Sequence, residues 1–241
     1  MKLNQLSLIA GAALVATAAT AQGQILSEGF DVVLDLAPPA TTGVVVSGAD
    51  GDWIGVLNSE PLGITGIFQG NGSVFPGQSG GPTSSAGLSF INSGSPGTIS
   101  TWMISPEVTL SNGNEFSFYT RTESNAFPDH LELRLSTNGA STDVGSTASS
   151  VGDFTTLLVD VNPGLNGQYP EEWAQFTATV SGLAADTTGR FAFRYAVPNA
   201  GPTGANSNYI GIDTVLYTAV PEPASLSLLG LSGLALIRRR R

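Results

Sequence analysis

Hydrophobic residues recur at every second position in short runs along this chain, and no long window sustains a helical period. Leu131, Leu133 and Leu135 alternate with His130, Glu132 and Arg134. Phe116, Phe118 and Thr120 alternate with Ser117, Tyr119 and Arg121, and Phe191, Phe193 and Tyr195 with Ala192 and Arg194. Successive side chains of a strand point to opposite faces, so each run reads as a strand with one buried face and one wet face. The pattern predicts eleven strands: Val44–Val46, Trp53–Leu57, Ile64–Phe68, Leu88–Ile91, Ile99–Ile104, Glu115–Arg121, Leu131–Ser136, Thr155–Val161, Glu172–Val180, Arg190–Val197 and Tyr209–Tyr217. Gly, Pro, Ser, Thr and Asn fill the intervals, as turns require. Strands with one apolar face bury it by stacking two sheets, so the expected fold is all-β: an antiparallel two-sheet β-sandwich, with so many strands favouring a jelly roll. Gly70–Gly87 and Asn199–Asn208 are the long irregular connections.

The two ends break this pattern. Lys2, the apolar stretch Leu6–Ala19 and the small-residue site formed by Ala19 and Ala21 have the layout of a secretory signal helix, with cleavage by signal peptidase expected before Gln22. At the other end, Val220, Pro221, Glu222 and Pro223 precede the uncharged run 224–237 and the arginines Arg238, Arg239, Arg240 and Arg241. As a helix the run would be about 21 Å long against a hydrocarbon core of about 30 Å, a marginal membrane span that suits a temporary stop. The arginines would stay cytoplasmic, and the prolines would keep the segment ahead of the helix extended and open to processing. The expected organisation is therefore a signal peptide over 1–21, one domain over 22–219 and a sorting tail over 220–241.

Removing the ends changes the charge balance. Arg121, Arg134, Arg190 and Arg194 are the basic residues left between them, four against eighteen acids, a net charge of −14 with no lysine. Such a surface repels nucleic acid and anionic headgroups and attracts divalent cations. The chain has no cysteine, which excludes disulfides, thiol catalysis and cysteine-ligated metals. A domain of this length can build its core without staples.

The tail resembles the PEP-CTERM sorting signal of Gram-negative bacteria, with the Val-Pro-Glu-Pro segment, the hydrophobic run and the arginine cluster in order. That resemblance implies recognition by an exosortase, a membrane transpeptidase-like enzyme, and transient inner-membrane anchoring before delivery to the cell surface or a polysaccharide matrix. A second resemblance runs from Glu28 to Tyr217. It is carried by Ser27-Glu28-Gly29-Phe30-Asp31, Thr101-Trp102-Met103-Ile104-Ser105-Pro106, Asp129–Thr137, Phe191–Tyr195 and Ile210–Val215. In this order the segments are similar to the choice-of-anchor J domain, a relative of cleaved-adhesin and MAM jelly rolls. The family implies a non-catalytic extracellular module. The positions of Glu28 and Asp213 in the terminal motifs, with Asp31 beside the first, give the expectation of a structural calcium site, since calcium takes hard oxygen ligands. Thr214 stands where a second aspartate is common in the family.

Candidate chemistry is sparse. Gly77-Gln78-Ser79-Gly80-Gly81-Pro82 differs by one residue from the segment around the nucleophile of trypsin-like proteases, but His130, the one histidine, follows it, so the segment reads as a loop. His130 reads as a surface residue and Glu171 and Glu172 as solvated charge, leaving no catalytic residue to name. Trp102 reads as core, whereas Trp53, Tyr169 and Trp173 are candidates for a sugar-stacking platform. Three functions remain open at this point: a module binding exopolysaccharide or a surface protein, a structural matrix protein without a discrete ligand, and a glycan-active hydrolase.

Overall fold

The computed structural model describes residues 23–220. The expected signal helix, its cleavage site at Ala19 and Ala21, and the sorting tail from Pro221 through the hydrophobic helix over 224–237 lie outside the described residues. Among the described residues no helix is long and apolar enough to cross a membrane.

Among the described residues fourteen strands follow one another, with a single 3-10 turn at Phe90–Asn92. They are β1 (Gly23–Glu28), β2 (Thr42–Gly48), β3 (Gly51–Leu57), β4 (Glu60–Leu62), β5 (Phe68–Gln69), β6 (Ala86–Ser89) and β7 (Ser93–Ile104). Then come β8 (Val108–Leu110), β9 (Glu115–Thr122), β10 (Leu131–Ser136), β11 (Thr156–Val161), β12 (Ala174–Thr179), β13 (Thr187–Ala200) and β14 (Tyr209–Ala219). One sheet runs β12-β9-β14-β6-β5, with β1 also on β14; the other runs β11-β10-β13-β7-β3-β2, with β4 on β7 and β8 on β13. Every pairing is antiparallel, so the expected sandwich is the fold.

The alternating runs supply the core between the sheets. Leu131, Leu133 and Leu135 on β10, Phe191, Phe193 and Tyr195 on β13, and Phe116 and Phe118 on β9 all belong to it. Phe118 meets Phe193 edge to face at 4.9 Å, and Phe116 lies 4.3 Å from Phe191. Each such ring contributes roughly 2–3 kcal/mol of burial.

Three expectations needed correction. The strand placed at Ile64–Phe68 shrinks to β5 because the Ile64 and Thr65 N–H groups both turn to Ile91 O and Ile67 makes only an isolated bridge to Leu36, leaving Phe68 and Gln69 to pair with β6; Ile64 is exposed. The run Leu88–Ile91 ends at Ser89, where the 3-10 turn begins. The idea of one wet face per strand also fails, since a loop is strapped across the outer face of each sheet. Over the eight-stranded sheet, residues 137–155 bring Val144 and Phe154 onto Trp102, Ile104 and Ala192, a second small core on the outside. Over the six-stranded sheet, residues 70–85 seat Phe75 between Tyr209, stacked at 4.9 Å, and Trp173, edge-on at 5.6 Å.

Candidate functional site

Three connections meet at one end of the sandwich: the turn after β6, the β9–β10 loop and the β13–β14 loop. Backbone bonds knit them together, from Phe90 N–H to Asn208 O at 2.8 Å and from Ser207 N–H to Pro128 O at 2.9 Å. Between them lies a cleft of about 200 Å³ lined by Phe90, Phe127, Gly201, Pro202, Gly204, Ser207 and Asn208. Phe90 is 37% exposed and Phe127 49%, so both rings face solvent while forming its walls. No lining residue carries a charge.

The floor of this region is built around Asp129, which is fully buried. Thr122 donates to its Oδ2 at 2.6 Å, the Asn208 N–H to its Oδ1 at 2.9 Å, and the Tyr195 hydroxyl to the same Oδ1. Asn162 Nδ2 donates to its backbone carbonyl at 2.7 Å. Burial pushes the carboxyl up to about 6, against the pull of the Thr122, Tyr195 and Asn208 donors. Burial likewise carries the Tyr195 phenol well above its ordinary range, and the Asp129 charge adds to that. Since Asn208 and Ser207 line the cleft and also bond this network, the floor fixes the walls.

The aromatic residues singled out from sequence are not brought together. Trp53 is 1% exposed and stacks on Phe193 between the sheets, and Tyr169 is 2% exposed with its hydroxyl 2.6 Å from Thr120 Oγ1. Neither presents a face to a ligand, because both lie on inward-facing positions of the sandwich. Trp173 is half-buried on the other side of the six-stranded sheet, its indole N–H donating to Pro76 O at 2.9 Å. It anchors the strap over residues 70–85. Phe127 escaped notice because a single phenylalanine in a loop carries no periodic signal, and Phe90 because it falls in the run Leu88–Ile91, expected as a strand, whereas the strand ends at Ser89 and Phe90 opens the 3-10 turn.

The candidate metal residues are also distributed differently. Glu28, Asp31, Ser79 and Gly80 border a small cleft of about 220 Å³. Asp213 is buried, and its Oδ2 accepts the N–H groups of Gln78 at 2.7 Å and Ser79 at 3.1 Å, while Oδ1 accepts that of Thr214 at 2.6 Å. Glu28 Oε1 accepts the Phe30 N–H at 2.7 Å, and Asp31 Oδ1 accepts the Ser84 hydroxyl at 2.7 Å. Burial raises the Glu28 carboxyl, with repulsion from Asp31 and Asp50 adding to it. Burial also raises Asp213, in part offset by the three N–H donors. Among the described residues no group of three or more His, Asp or Glu side chains is gathered as a metal site. With both oxygens of Asp213 already facing N–H donors, the three carboxylates do not fit a shared calcium ion.

The nucleophile-like segment is a tethered loop. His130 Nδ1 lies 2.8 Å from Ala196 O and Nε2 2.6 Å from Asp160 Oδ1, so both ring nitrogens are occupied away from Ser79. Glu172 pairs with Arg121 at 3.2 Å, and Glu171 accepts the Asn125 N–H at 2.9 Å, which ties down the β9–β10 loop rather than framing a scissile bond.

Residues 219–241 match the PEP-CTERM protein-sorting motif. No curated protein matches the chain. Among solved structures, the K1 cleaved adhesin domain of Lys-gingipain from Porphyromonas gingivalis aligns at 20% identity and a TM-score of 0.45, covering 81% of this chain and 98% of that one. The K3 cleaved adhesin domain of the same protein aligns at 17% identity and a TM-score of 0.46, over 82% and 100% of the two chains. A family 11 carbohydrate-binding module from Clostridium thermocellum, in complex with a β-1,3-1,4-mixed-linked tetrasaccharide, aligns at 12% identity and a TM-score of 0.36, over 85% and 100%. Similarity at this level assigns no ligand, partner or activity to this chain.

Proposed function

We propose that this protein is an exported, non-catalytic surface module that is sorted through its C-terminal motif and binds a neutral polysaccharide at the Phe90–Phe127 cleft. The observation that carries this reading is the cleft itself: two solvent-facing rings and neutral polar groups, without one charged side chain, on a domain of net charge −14. Sugar rings stack their C–H faces on aromatic side chains and bond neutral amides and hydroxyls, which is the chemistry offered here. The cleft holds about one ring, so recognition would be of a chain end or a side branch rather than of an extended backbone.

The sorting motif supports the route: export under the N-terminal signal, transient retention in the inner membrane of a Gram-negative cell, and processing by an exosortase. The acidic surface argues against a nucleic-acid partner. The test is a glycan array with the full-length protein, followed by titration calorimetry of any neutral glycan retained. Binding that is lost in Phe127→Ala and Phe90→Ala but kept in Trp173→Ala supports the reading. Retention of no glycan by a folded protein would favour a matrix role without a discrete ligand, and polysaccharide turnover would make it a hydrolase.

A further inference from the structure

The Phe90–Phe127 cleft is one-sided in its hydrogen bonding. Of its lining residues, Ser207 and Asn208 alone carry polar side chains; the others are Phe90, Phe127, Gly201, Pro202 and Gly204. The hydrogens of those two side chains are turned into the protein. Tyr195 has one hydroxyl hydrogen, and Asp129 Oδ1 takes it. Ser207 Oγ stands 2.6 Å from the same phenol oxygen, so Ser207 supplies the hydrogen of that contact. The direction survives protonation of Asp129. The Asn208 N–H also points at Oδ1, which places an added proton on Oδ2, where Thr122 Oγ1 accepts it and donates to Tyr209 O at 3.2 Å. Ser207 therefore offers a ligand lone pairs alone. Asn208 Nδ2 turns to Ser124 O and Oγ, 3.4 Å from each, leaving Oδ1 free to accept.

The backbone repeats the pattern. Pro202 has no N–H, and those of Phe90, Gly204, Ser207 and Asn208 are spent on Asn208 O, Gly201 O, Pro128 O and Asp129 Oδ1. Ser207 is buried and holds a left-handed backbone, φ 77°, which a residue other than glycine keeps only where its surroundings fix it. The Pro128 and Tyr195 bonds fix it here. The acceptor character of Ser207 and Asn208 is thus a built feature of the cleft, held from below by Asp129.

A group that suits such a cleft donates a hydrogen bond without needing one back, and covers the remaining wall with apolar surface. An acetamido group does both: its N–H donates and cannot accept, its methyl is apolar, and its carbonyl can stay in water. A hydroxyl brings the donor without the apolar cover. A carboxylate, sulfate or phosphate brings neither, and the acidic domain repels it. Resting on the polysaccharide reading above, we infer that the cleft takes the acetamido group of a terminal N-acetylhexosamine in a neutral polysaccharide. The N–H donates to the Ser207–Asn208 acceptors, and the methyl lies against the Phe90 and Phe127 rings. Tyr195 and Asp129 are positioning residues: they hold the Ser207 hydrogen inward without touching the sugar.

The test titrates the full-length protein in detergent with hexoses that differ only at C2, carrying a 2-acetamido, a 2-O-acetyl or a 2-hydroxyl group. The acetamide and the ester share the methyl and the carbonyl and differ in the N–H. The acetamide is expected to bind at least about tenfold more tightly than either of the others, since a site built around a donor rejects the analogue that lacks it. Tyr195→Phe is expected to narrow the acetamide-to-ester ratio, because the released Ser207 hydrogen can turn outward and donate to the ester. A merely structural loss would weaken both ligands alike and leave the ratio where it was. Ser207→Ala, which removes one acceptor on the loop, should narrow the same ratio. Equal binding of acetamide and ester by the wild type, or an unchanged ratio in folded Tyr195→Phe and Ser207→Ala, would overturn the inference. If that happens while Phe127→Ala still abolishes binding, the polysaccharide reading stands without it; if no neutral glycan binds at all, both fall.

Discussion

The Arg194 guanidinium lies 3.1 Å from Glu132 Oε2 on the outer face of the eight-stranded sheet, with both side chains buried beneath the strap over residues 137–155. Arg134 reaches the same oxygen at 2.6 Å. The arginines then grip the strap from below, Arg194 donating to Ala148 O at 2.6 Å and Arg134 to Phe154 O at 3.3 Å, while Arg194 also lies over the Trp102 ring at 5.2 Å. Removing the shared carboxylate leaves two guanidinium groups side by side with no counter-charge. Glu132→Gln is expected to cost about 3 kcal/mol of stability, the scale for breaking a buried pair. Glu123→Gln, at an exposed position, should cost almost nothing by the same denaturant titration. Burial alone would raise the Glu132 carboxyl, but the Arg134 bond and the Arg194 charge outweigh it and hold it below its ordinary value. Its contribution is therefore present above the unfolded value of 4.5 and lost as pH falls through the folded value.

Asp129 should show the opposite slope. Its folded value of about 6 lies above the unfolded 3.8, so folding favours the protonated form. The stabilisation is complete below the unfolded value, declines as pH rises through about 6, and is absent above that. The full span is on the order of 3 kcal/mol. Denaturation of the wild type and of Asp129→Asn across this range gives the check. The difference between the two curves should change from acid to neutral pH and then level off. A constant difference would mean that Asp129 keeps one charge state throughout.

Gly211 on β14 is what allows the strap over residues 70–85 to lie flat. A Cβ there would stand 2.8 Å from the Trp173 ring and 2.9 Å from the Phe75 ring. Gly211→Ala is expected to lift both rings, costing roughly 1–3 kcal/mol by overpacking. Limited proteolysis should then cut within residues 70–85, where the wild type resists. Phe75→Ala should expose the same segment by the other route, a lost plug instead of a displaced one.

The inner core was legible in the sequence because alternation is a local signal: a leucine or phenylalanine at every second position of β9, β10 and β13 announces its face wherever the strand goes. Strands β1, β4 and β8 were not legible, since three to six residues beside glycine or proline show too little alternation. The outer faces misled for a different reason. Glu132 and Arg194 have the composition of a wet face, and only the loop that returns over them makes them buried. Burial of that kind depends on contacts far apart in the chain, between residues 100 and 194 or 148 and 194, which no periodicity encodes. The same reasoning covers the cleft, because Phe90, Phe127 and Asn208 come from three separate loops and meet through the topology alone.

Whether calcium fits beside Glu28 and Asp31 depends on how Asp213 is used. Three backbone N–H groups point at its two oxygens, and Thr214 Oγ1 donates to Gln78 Oε1 at 2.6 Å, so the residue acts as a peg for the loop at Gln78 and Ser79. The three N–H groups leave a cation about one free lone-pair site on the carboxylate. Melting temperatures in EDTA and in millimolar calcium are therefore expected to coincide. Asp213→Asn should cost about 1–3 kcal/mol in either condition, because an amide nitrogen would face an N–H donor. A rise in melting temperature with calcium that disappears in Asp213→Asn would instead return Glu28, Asp31 and Asp213 to one ligand set, and the loop at Ser79 would have to move to admit the ion.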